Sequence, residues 1–385
     1  MAICSYCGKE NTAGSVQCRE CATELSLTEF PPAELPPTPP AIDPFPPLPG
    51  PRLINGELIA SAWHSENGFH RVDWTIVRNW IETSLLPADW NEAWSEAALL
   101  WVEKLRADLG GGYQVLVSRQ SILLCDQPFQ TARWLSEYAG RSASTIKDYL
   151  GQTAWSGAYG RDVLLIFTEL DDYDHYVAHH LAEGENPASG GMCLNSGYTH
   201  IALPWTDQAD AANAIIHELT HDCLAHLPLP HWLNEAVAVT LERAIGSPPR
   251  QAGESDQSAV YGASIGWRPP MMWDELAEQH FAFWNEQNIQ TFWAGTSFHI
   301  PGESNELSYS LAEVFMKLLS ERTTLEHFRT FLEAARQDDA GQTAAIDILG
   351  VDLGDIAMTF LGEGNWRPQR TAMTSCWKAA GWAGT

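Results

Sequence analysis

Two histidines four residues apart, with a glutamate directly after the first, form the pattern in this chain with the clearest chemical meaning. They belong to the segment "HELTHDCLAHLPLPHWLNE", residues 217–235. Residues four apart on a helix lie on one face, so the imidazoles of His217 and His221 can share one metal ion. Glu218 lies one position round the helix and can reach a water on that ion without ligating it. A catalytic zinc uses three protein ligands, so a third must come from elsewhere in the chain.

Glu235 is the candidate for this third ligand. The prolines of "LPLP" (227–230) end the first helix, and "HWLNEAVAVTLE" (231–242) predicts a second. Glu235 lies about one turn into the second helix between apolar residues, where a lone carboxylate is costly to bury. Coordination to zinc would remove that cost. The pattern therefore indicates a catalytic zinc held by His217, His221 and Glu235, and its alternative is two histidines on a solvated helix face.

The two segments resemble those of the gluzincin metallopeptidases, whose third zinc ligand is a glutamate in a W-L-x-E-G/A-x-A segment. "HELTH" followed by "LPHWLNEAVA" is closer to the minimal bacterial peptidase MA-like domains than to the large aminopeptidases. The resemblance covers roughly residues 112 to 340, although only 217–242 is specific. It implies a zinc peptidase in which Glu218 takes a proton from the zinc-bound water and passes it to the leaving amine.

The chain departs from the pattern of the larger gluzincin groups in three ways. Thirteen residues separate His221 from Glu235, fewer than in the thermolysin-like and aminopeptidase groups. Val239 stands where thermolysin-like enzymes have an acidic residue that orients a zinc histidine, so Asp222 or a backbone carbonyl would have to take this role. No aminopeptidase G-x-M-E-N motif is visible, although "GGMCLN" (190–195) precedes a predicted strand. The resemblance therefore implies an endopeptidase rather than an exopeptidase.

Tyr309 is the candidate for stabilising the oxyanion. Gluzincins use a tyrosine or histidine on a downstream helix for this purpose, and "ELSYSLAEVFMKLL" (306–319) predicts such a helix. A core tyrosine is the alternative. The segment "GYTHIAL" (197–203) alternates as an edge strand would, so a substrate backbone could pair with it by strand addition. Of the remaining histidines, His200 is expected to be an edge-strand residue, and three are expected in turns or on the surface: His226, His231 and His299. His179 and His180 follow a predicted helix and have no partner glutamate at ligand spacing.

A second candidate metal site lies at the N-terminus, in the pattern C-x2-C-x10-C-x2-C formed by Cys4, Cys7, Cys18 and Cys21. Two thiolate pairs at this spacing supply the tetrahedral set of a structural zinc. The segment 1–25 resembles the small zinc ribbons of many prokaryotic proteins and is too short to fold without metal. A pair of redox CxxC motifs is the alternative. We expect the ribbon to be a structural or protein-docking module rather than a nucleic-acid reader.

A proline-rich linker, residues 26–51, separates the ribbon from the rest of the chain. Eleven of the 23 prolines fall in 31–51. Such a run excludes helices and interior strands and favours an extended polyproline II spacer. A docking site for a proline-binding domain is the alternative.

Charge and composition limit the classes of function. The chain has 49 Asp and Glu against 22 Lys and Arg, a formal net charge of −27, which repels phosphate backbones and disfavours nucleic-acid binding. The first residues lack the basic segment and the apolar segment that a signal peptide has. No apolar run approaches the roughly 18 residues that a membrane span needs. We expect a cytoplasmic protein without a membrane partner. The other cysteines are then expected to be reduced thiols: Cys125, Cys193, Cys223 and Cys376.

The order of the predicted elements indicates the fold class. Before residue 207 the pattern predicts helices over 88–112, 126–151 and 171–184 and strands over 113–118, 121–125, 162–169 and 197–205. Almost everything after residue 207 is predicted to be helical. Strands first and helices afterwards predict an α+β fold, with a small mixed sheet packed on the HExxH helix and a mostly helical C-terminal lobe. A helical lead-in is expected over 52–111 and the metallopeptidase-like domain over 112–385.

Two functions from different classes follow from these patterns. The favoured one is a zinc-dependent endopeptidase that carries a zinc ribbon as a docking or structural module. The alternative is a protein-binding adaptor that keeps a peptidase fold and no longer cleaves. Since His217, Glu218, His221 and Glu235 are all present, a decayed site is disfavoured. Nucleic-acid binding through the ribbon is the third and weakest hypothesis.

Overall fold

The computed structural model of the chain describes residues 2–3, 10–11, 53–54, 56–66, 68–154, 159–178, 180, 190–246 and 273–380. The predicted structural zinc site, with Cys4, Cys7, Cys18 and Cys21, lies outside the described residues, as does the proline-rich linker. Within the first 25 residues the structure describes two short antiparallel strands, β1 (Ala2–Ile3) and β2 (Glu10–Asn11).

The described part of the chain is a mixture of helices and strands. The other strands are β3 (Trp63–Glu66), β4 (Phe69–Val72), β5 (Gln114–Val117), β6 (Ser121–Cys125), β7 (Asp162–Phe167), β8 (Met192–Asn195) and β9 (Thr199–Pro204). The helices are α1 (Gly56–Ala62), α2 (Trp74–Ser84), α3 (Trp90–Leu109), α4 (Phe129–Leu150), α5 (Leu170–Val177), α6 (Gln208–Leu224), α7 (His231–Ile245), α8 (Trp273–Phe283), α9 (Ile289–Ala294), α10 (Glu303–Ser320), α11 (Leu325–Ala334), α12 (Gln342–Ala344), α13 (Leu353–Leu361) and α14 (Arg370–Ala379). This content agrees with the predicted α+β class.

Five strands form one mixed sheet in the order β5-β6-β7-β9-β8. The three inner strands run parallel, and β5 and β8 pair antiparallel at the two edges. The prediction that "GYTHIAL" is an edge strand is therefore wrong, because β8 covers β9, with Leu194 opposite His200. The alternation of polar and apolar residues gave the wrong prediction because helices cover both faces of the sheet. As a result, β9 is buried along nearly its whole length.

Each face of the sheet packs against its own set of helices. Successive side chains along a strand point to opposite faces, so Leu164 and Ile201 join the core with α4, α6 and α7. Leu165 and Ala202 point the other way and join the core with α2 and α3. The segment 52–111, predicted as a helical lead-in, also contains the β3–β4 hairpin. This segment shares a core with the sheet.

Local signals place α6 and α7, which carry the "HELTH" and "WLNEAVA" sequences. Asp207 caps α6, since its carboxylate accepts from the backbone N–H groups of Ala209 and Asp210. The helix ends at Leu224, before the prolines, and α7 begins directly after Pro230. Fully buried Trp232 fastens the start of α7, because its indole N–H donates to the carbonyl of Ala340 at 3.0 Å. The two helices pack against each other, and α6 also packs on β8 and β9.

Beyond residue 207 the described chain is helical, as its sequence predicts. The helix α10 packs along α7, and Leu311 and Phe315 are buried in the core that it shares with α7. The helical region therefore supports α7 and holds it against α6.

Within the described ranges, no helix combines the length and the apolar character that crossing a bilayer requires.

Candidate metal centre

The side chains of His217, His221 and Glu235 converge between α6 and α7. The Nε2 atom of His217 lies 3.2 Å from Oε2 of Glu235, and Nε2 of His221 lies 3.5 Å from Oε1 of the same carboxylate. The two imidazole rings are 4.8 Å apart, as expected one helical turn apart. One possible ligand atom from each residue falls within 4.8 Å of the others, and no other group in the described part of the chain meets this test.

The donor set and its spacing fit a zinc ion. Two nitrogens and one carboxylate are a ligand set of catalytic zinc sites, and ligands at ~2.1 Å in tetrahedral geometry lie about 3.4 Å from one another. The observed separations of 3.2 and 3.5 Å match this value. Glu235 is only 5 % exposed, and its Oε2 is buried with no hydrogen-bond donor in suitable geometry. A cation at the centre of the three residues would satisfy that oxygen.

The electrostatics of the cluster also suit a cation. Burial alone would raise the pKa of Glu235, but the charges of His221 and His217 hold it well below its usual range. Burial likewise opposes protonation of His217, but its contacts with Glu235 and Glu242 raise its pKa well above the ordinary value. The pocket therefore favours positive charge beside an ionised carboxylate. Metal binding requires neutral imidazoles, so a metal would displace these protons.

Glu218 lies beside the three candidate ligands and faces the sheet edge. The backbone N–H of Cys193 in β8 points towards its carboxylate and partly offsets the effect of burial on its pKa. Glu218 also lies against Gly191, where an added Cβ would be 3.3 Å from the Cγ and Oε1 atoms of Glu218. Burial raises its pKa. This position and this raised pKa suit a general base rather than a ligand.

The carboxylate that orients a candidate ligand is Glu242, which the sequence reasoning missed. The Nδ1–H of His217 donates to Oε2 of Glu242 at 3.1 Å, and Glu242 is 9 % exposed. Asp222, the residue expected for this role, faces Asp162 and Lys147 instead. The signal was present in the sequence, because Glu242 follows Glu235 by seven residues and thus lies two turns along the same face of α7.

Tyr309 also reaches the site. Burial raises the pKa of its phenol well above the ordinary value, and the nearby charges of Glu235 and Glu218 raise it further. The ring packs edge-on against Phe298 at 5.1 Å between centroids. The two interpretations of Tyr309 are thus both visible in one side chain, because its ring packs in the core and its hydroxyl faces the metal-site cluster.

The position of His231 differs from the one predicted from the sequence. It was expected in a turn or on the surface, but it begins α7 and its Nε2 lies 3.6 Å from Oε1 of Glu235. Its ring lies 5.0 Å from the ring of Phe298, and burial lowers its pKa to about 4. The sequence contained a signal for this contact, because His231 precedes Glu235 by four residues and thus lies on the same face of α7. The expectation is correct for His226, which lies exposed in a turn, and for His299, which is exposed on the surface at the end of a short 3-10 helix.

No protein-family model matches the chain, and a search of curated proteins found no significant match. The likeness to the gluzincin metallopeptidases therefore rests on the residues of 217–242 themselves. Besides that likeness, the structure shows how these side chains are arranged: three imidazoles, three carboxylates and one phenol lie close together between α6, α7, α10 and β8.

Proposed function

We propose that the chain is a zinc-dependent peptidase that hydrolyses internal peptide bonds of a protein or peptide substrate. The observation that carries this proposal is the convergence of His217, His221 and Glu235 at ligand-like spacing, with Glu218 beside them. The same arrangement would be costly without a cation, because it leaves a buried carboxylate oxygen without a donor.

Each residue at the site has a distinct task in such a reaction. A zinc held by His217, His221 and Glu235 would supply an acidified water and polarisation of the scissile carbonyl. Glu218, with a pKa raised by burial, is suited to accept the proton of that water and release it to the leaving amine. The Tyr309 hydroxyl can turn from Glu235 to the substrate oxygen as negative charge develops there.

The substrate would lie along β8 rather than along β9. The strand β8 is the edge strand of the described sheet on this side, and its neighbour Gly191 touches Glu218. An edge strand offers backbone N–H and C=O groups to an added extended peptide. A peptide paired with β8 would run past Glu218, which favours cleavage inside a chain. The absence of a G-x-M-E-N motif from the sequence agrees with an endopeptidase.

The N-terminal ribbon completes the proposal. Cys4, Cys7, Cys18 and Cys21 would hold a second, structural zinc, and the ribbon would dock a protein partner or serve as a structural module. The net charge of −27 supports a protein partner over a nucleic acid.

Metal content and hydrolysis test the proposal together. The full chain should contain about two zinc ions, of which His217→Ala removes one and a Cys4→Ser/Cys7→Ser double variant removes the other. Glu218→Gln should keep both ions and lose hydrolysis of casein, whereas Glu82→Gln on the exposed surface of α2 should behave as wild type. A zinc content that His217→Ala leaves unchanged would contradict the proposal. Zinc at the site without cleavage by the wild-type chain would favour the adaptor hypothesis.

A further inference from the structure

The first turn of α7 is held from outside the helix by the side chain of Gln337. The backbone N–H of His231, the first residue of α7, donates to Oε1 of Gln337 at 2.8 Å. The first N–H groups of a helix have no acceptor within the helix, and Pro230, which precedes α7, offers no side-chain acceptor. Gln337 therefore caps α7, although it lies 106 residues further along the chain, in a turn formed by residues 337–341.

The other end of the same amide is also bonded. Its Nε2 donates to the carbonyl of Ala294, the last residue of α9, at 3.1 Å. The indole N–H of Trp377 donates to this carbonyl as well, at 2.8 Å, so α14 joins the same network. An N–H group on one side and a carbonyl on the other require one acceptor and one donor, and a glutamine amide supplies both. The amide of Gln337 is thus a fixed bridge between α7 and α9.

A second hydrogen bond fastens the next residue of α7 to the same turn. The indole N–H of Trp232 donates to the carbonyl of Ala340 at 3.0 Å. Ala340 has a φ of +56° and is the one non-glycine residue with positive φ among those that the structure describes. A residue with a Cβ keeps this conformation only where its surroundings fix it. The Asp339 carboxylate does so here, because it accepts from the N–H groups of Gly341 and Thr343 at 2.9 and 3.0 Å.

The position of His231 determines that of Glu235. In an α-helix each backbone N–H donates to the carbonyl four residues before it, so the N–H of Glu235 is bonded to His231 along the helix axis. The carboxylate of Glu235 must meet His217 and His221 of another helix, and distances at a metal site tolerate deviations of only about 0.2 Å. A support that fixes the first turn of α7 therefore bears directly on metal binding.

We propose that Gln337 is a positioning residue of the candidate metal centre, and that its hydrogen bond to the His231 N–H holds Glu235 at ligand distance. The inference rests on the proposed function, because it requires a metal at this site. Gln337 acts through the backbone of α7, and α14 contributes to the same support through Trp377.

Zinc affinity of the full-length chain, measured by competition with a chromophoric chelator, tests this proposal. The His217→Ala chain reports the zinc bound elsewhere and is the blank. Gln337→Met keeps the length of the side chain and removes both hydrogen-bonding groups, so we expect it to weaken zinc binding at the His217 site at least about tenfold. Gln337→Glu keeps an acceptor for the His231 N–H at a helix start, where negative charge is favourable, and should stay within about threefold of wild type.

A control separates positioning from a general loss of stability. Thr324→Ala removes the hydroxyl that accepts from the His327 N–H at the start of α11. Loss of this cap should lower the melting temperature and leave zinc affinity unchanged. If Gln337→Met does not fold, Gln337→Asn takes its place, because its shorter amide does not span the distance between the two groups that Gln337 joins.

Three results would overturn the proposal. They are wild-type zinc affinity in the folded Gln337→Met or Gln337→Asn chain, equal weakening by Gln337→Glu and Gln337→Met, and equal weakening by Thr324→Ala and Gln337→Met. In each case the proposed function still stands, because wild type binds zinc through His217. A wild-type chain that holds no more zinc than His217→Ala would contradict the proposed function and this inference together.

Discussion

Glu242 accepts a hydrogen bond from Nδ1 of His217 at 3.1 Å, on the side of the imidazole opposite to Glu235. One histidine of the candidate metal centre is therefore held between two carboxylates of the same helix. A carboxylate bonded to the far nitrogen of a metal-binding histidine fixes the ring orientation and increases its basicity. In this chain the corresponding carboxylate comes seven residues after Glu235, the candidate ligand, and Val239 stands at the position where thermolysin-like enzymes have the acid.

Removing Glu242 should weaken metal binding. We expect Glu242→Ala to reduce zinc affinity about 10- to 100-fold, and Glu242→Gln to reduce it less, since an amide oxygen can still accept from His217. Competition with a chromophoric chelator measures the affinity, and Glu321→Gln, at an exposed position after α10, is the matched control. A folded Glu242→Ala protein with wild-type affinity would show that the hydrogen bond does not support the site.

Tyr309→Phe separates the packing role of this residue from its chemical role. Phenylalanine keeps the ring against Phe298 and removes only the hydroxyl that lies near Glu235. We expect zinc content and melting temperature to stay near wild type while kcat on a peptide substrate falls about 100-fold with little change in KM. If kcat is unchanged, Tyr309 is a core residue that happens to face the site.

Gly191 lies directly before β8 and close to Glu218. A Cβ added there would clash with the Leu203 side chain and lie 3.3 Å from the Glu218 carboxylate. We expect Gly191→Ala to lower the free energy of unfolding by about 1–3 kcal/mol and to reduce hydrolysis, because β8 must move away from α6. Gly112→Ala is the control, since its Cβ would meet nothing closer than 4.0 Å. Urea denaturation and casein hydrolysis measure the two effects.

His200 should make stability depend on pH in a defined window. Its pKa of about 4 in the folded protein lies below the ordinary value of 6.5, so the unfolded chain binds the proton more readily. The free energy of unfolding should therefore fall by about 3 kcal/mol as pH drops from 6.5 to 4 through this residue, with no further loss below both values. Denaturant titrations between pH 6.5 and pH 4 should therefore show a steeper fall in the free energy of unfolding for wild type than for His200→Gln. His327→Gln, at an exposed position of α11, is the matched substitution, and parallel slopes for wild type and His200→Gln would contradict the assignment.

The local parts of the candidate site could be predicted because they depend on short spacings. The position of His217 one turn before His221 and the break between α6 and α7 follow from helix geometry and from proline. The helices and strands that the hydrophobic pattern predicts before residue 207 are present close to their predicted positions, but the pattern did not predict α1, α2, β3, β4 or β8. The helix predicted over 171–184 is described only to Val177, with its remainder largely outside the described residues.

The pairing of strands could not be predicted in the same way. A segment in which polar and apolar residues alternate is predicted to be an edge strand. However, β9 lies inside the sheet because β8 pairs with it, and the sequence pattern did not indicate β8 as a strand. Pairing depends on backbone hydrogen bonds between distant segments, and a single strand's side chains carry little information about its neighbour.

The sequence by itself determined which groups are available at the site and their spacing along each helix: the two histidines of α6, the general-base candidate Glu218 and the buried Glu235. Only the tertiary structure decided which of them meet. The crossing of α6 and α7, held by the sheet on one side and by Trp232 and α10 on the other, brings Glu242, Tyr309 and His231 to the same cluster. Local periodicity sets the face on which a residue lies, but contacts between faces depend on how the whole core packs.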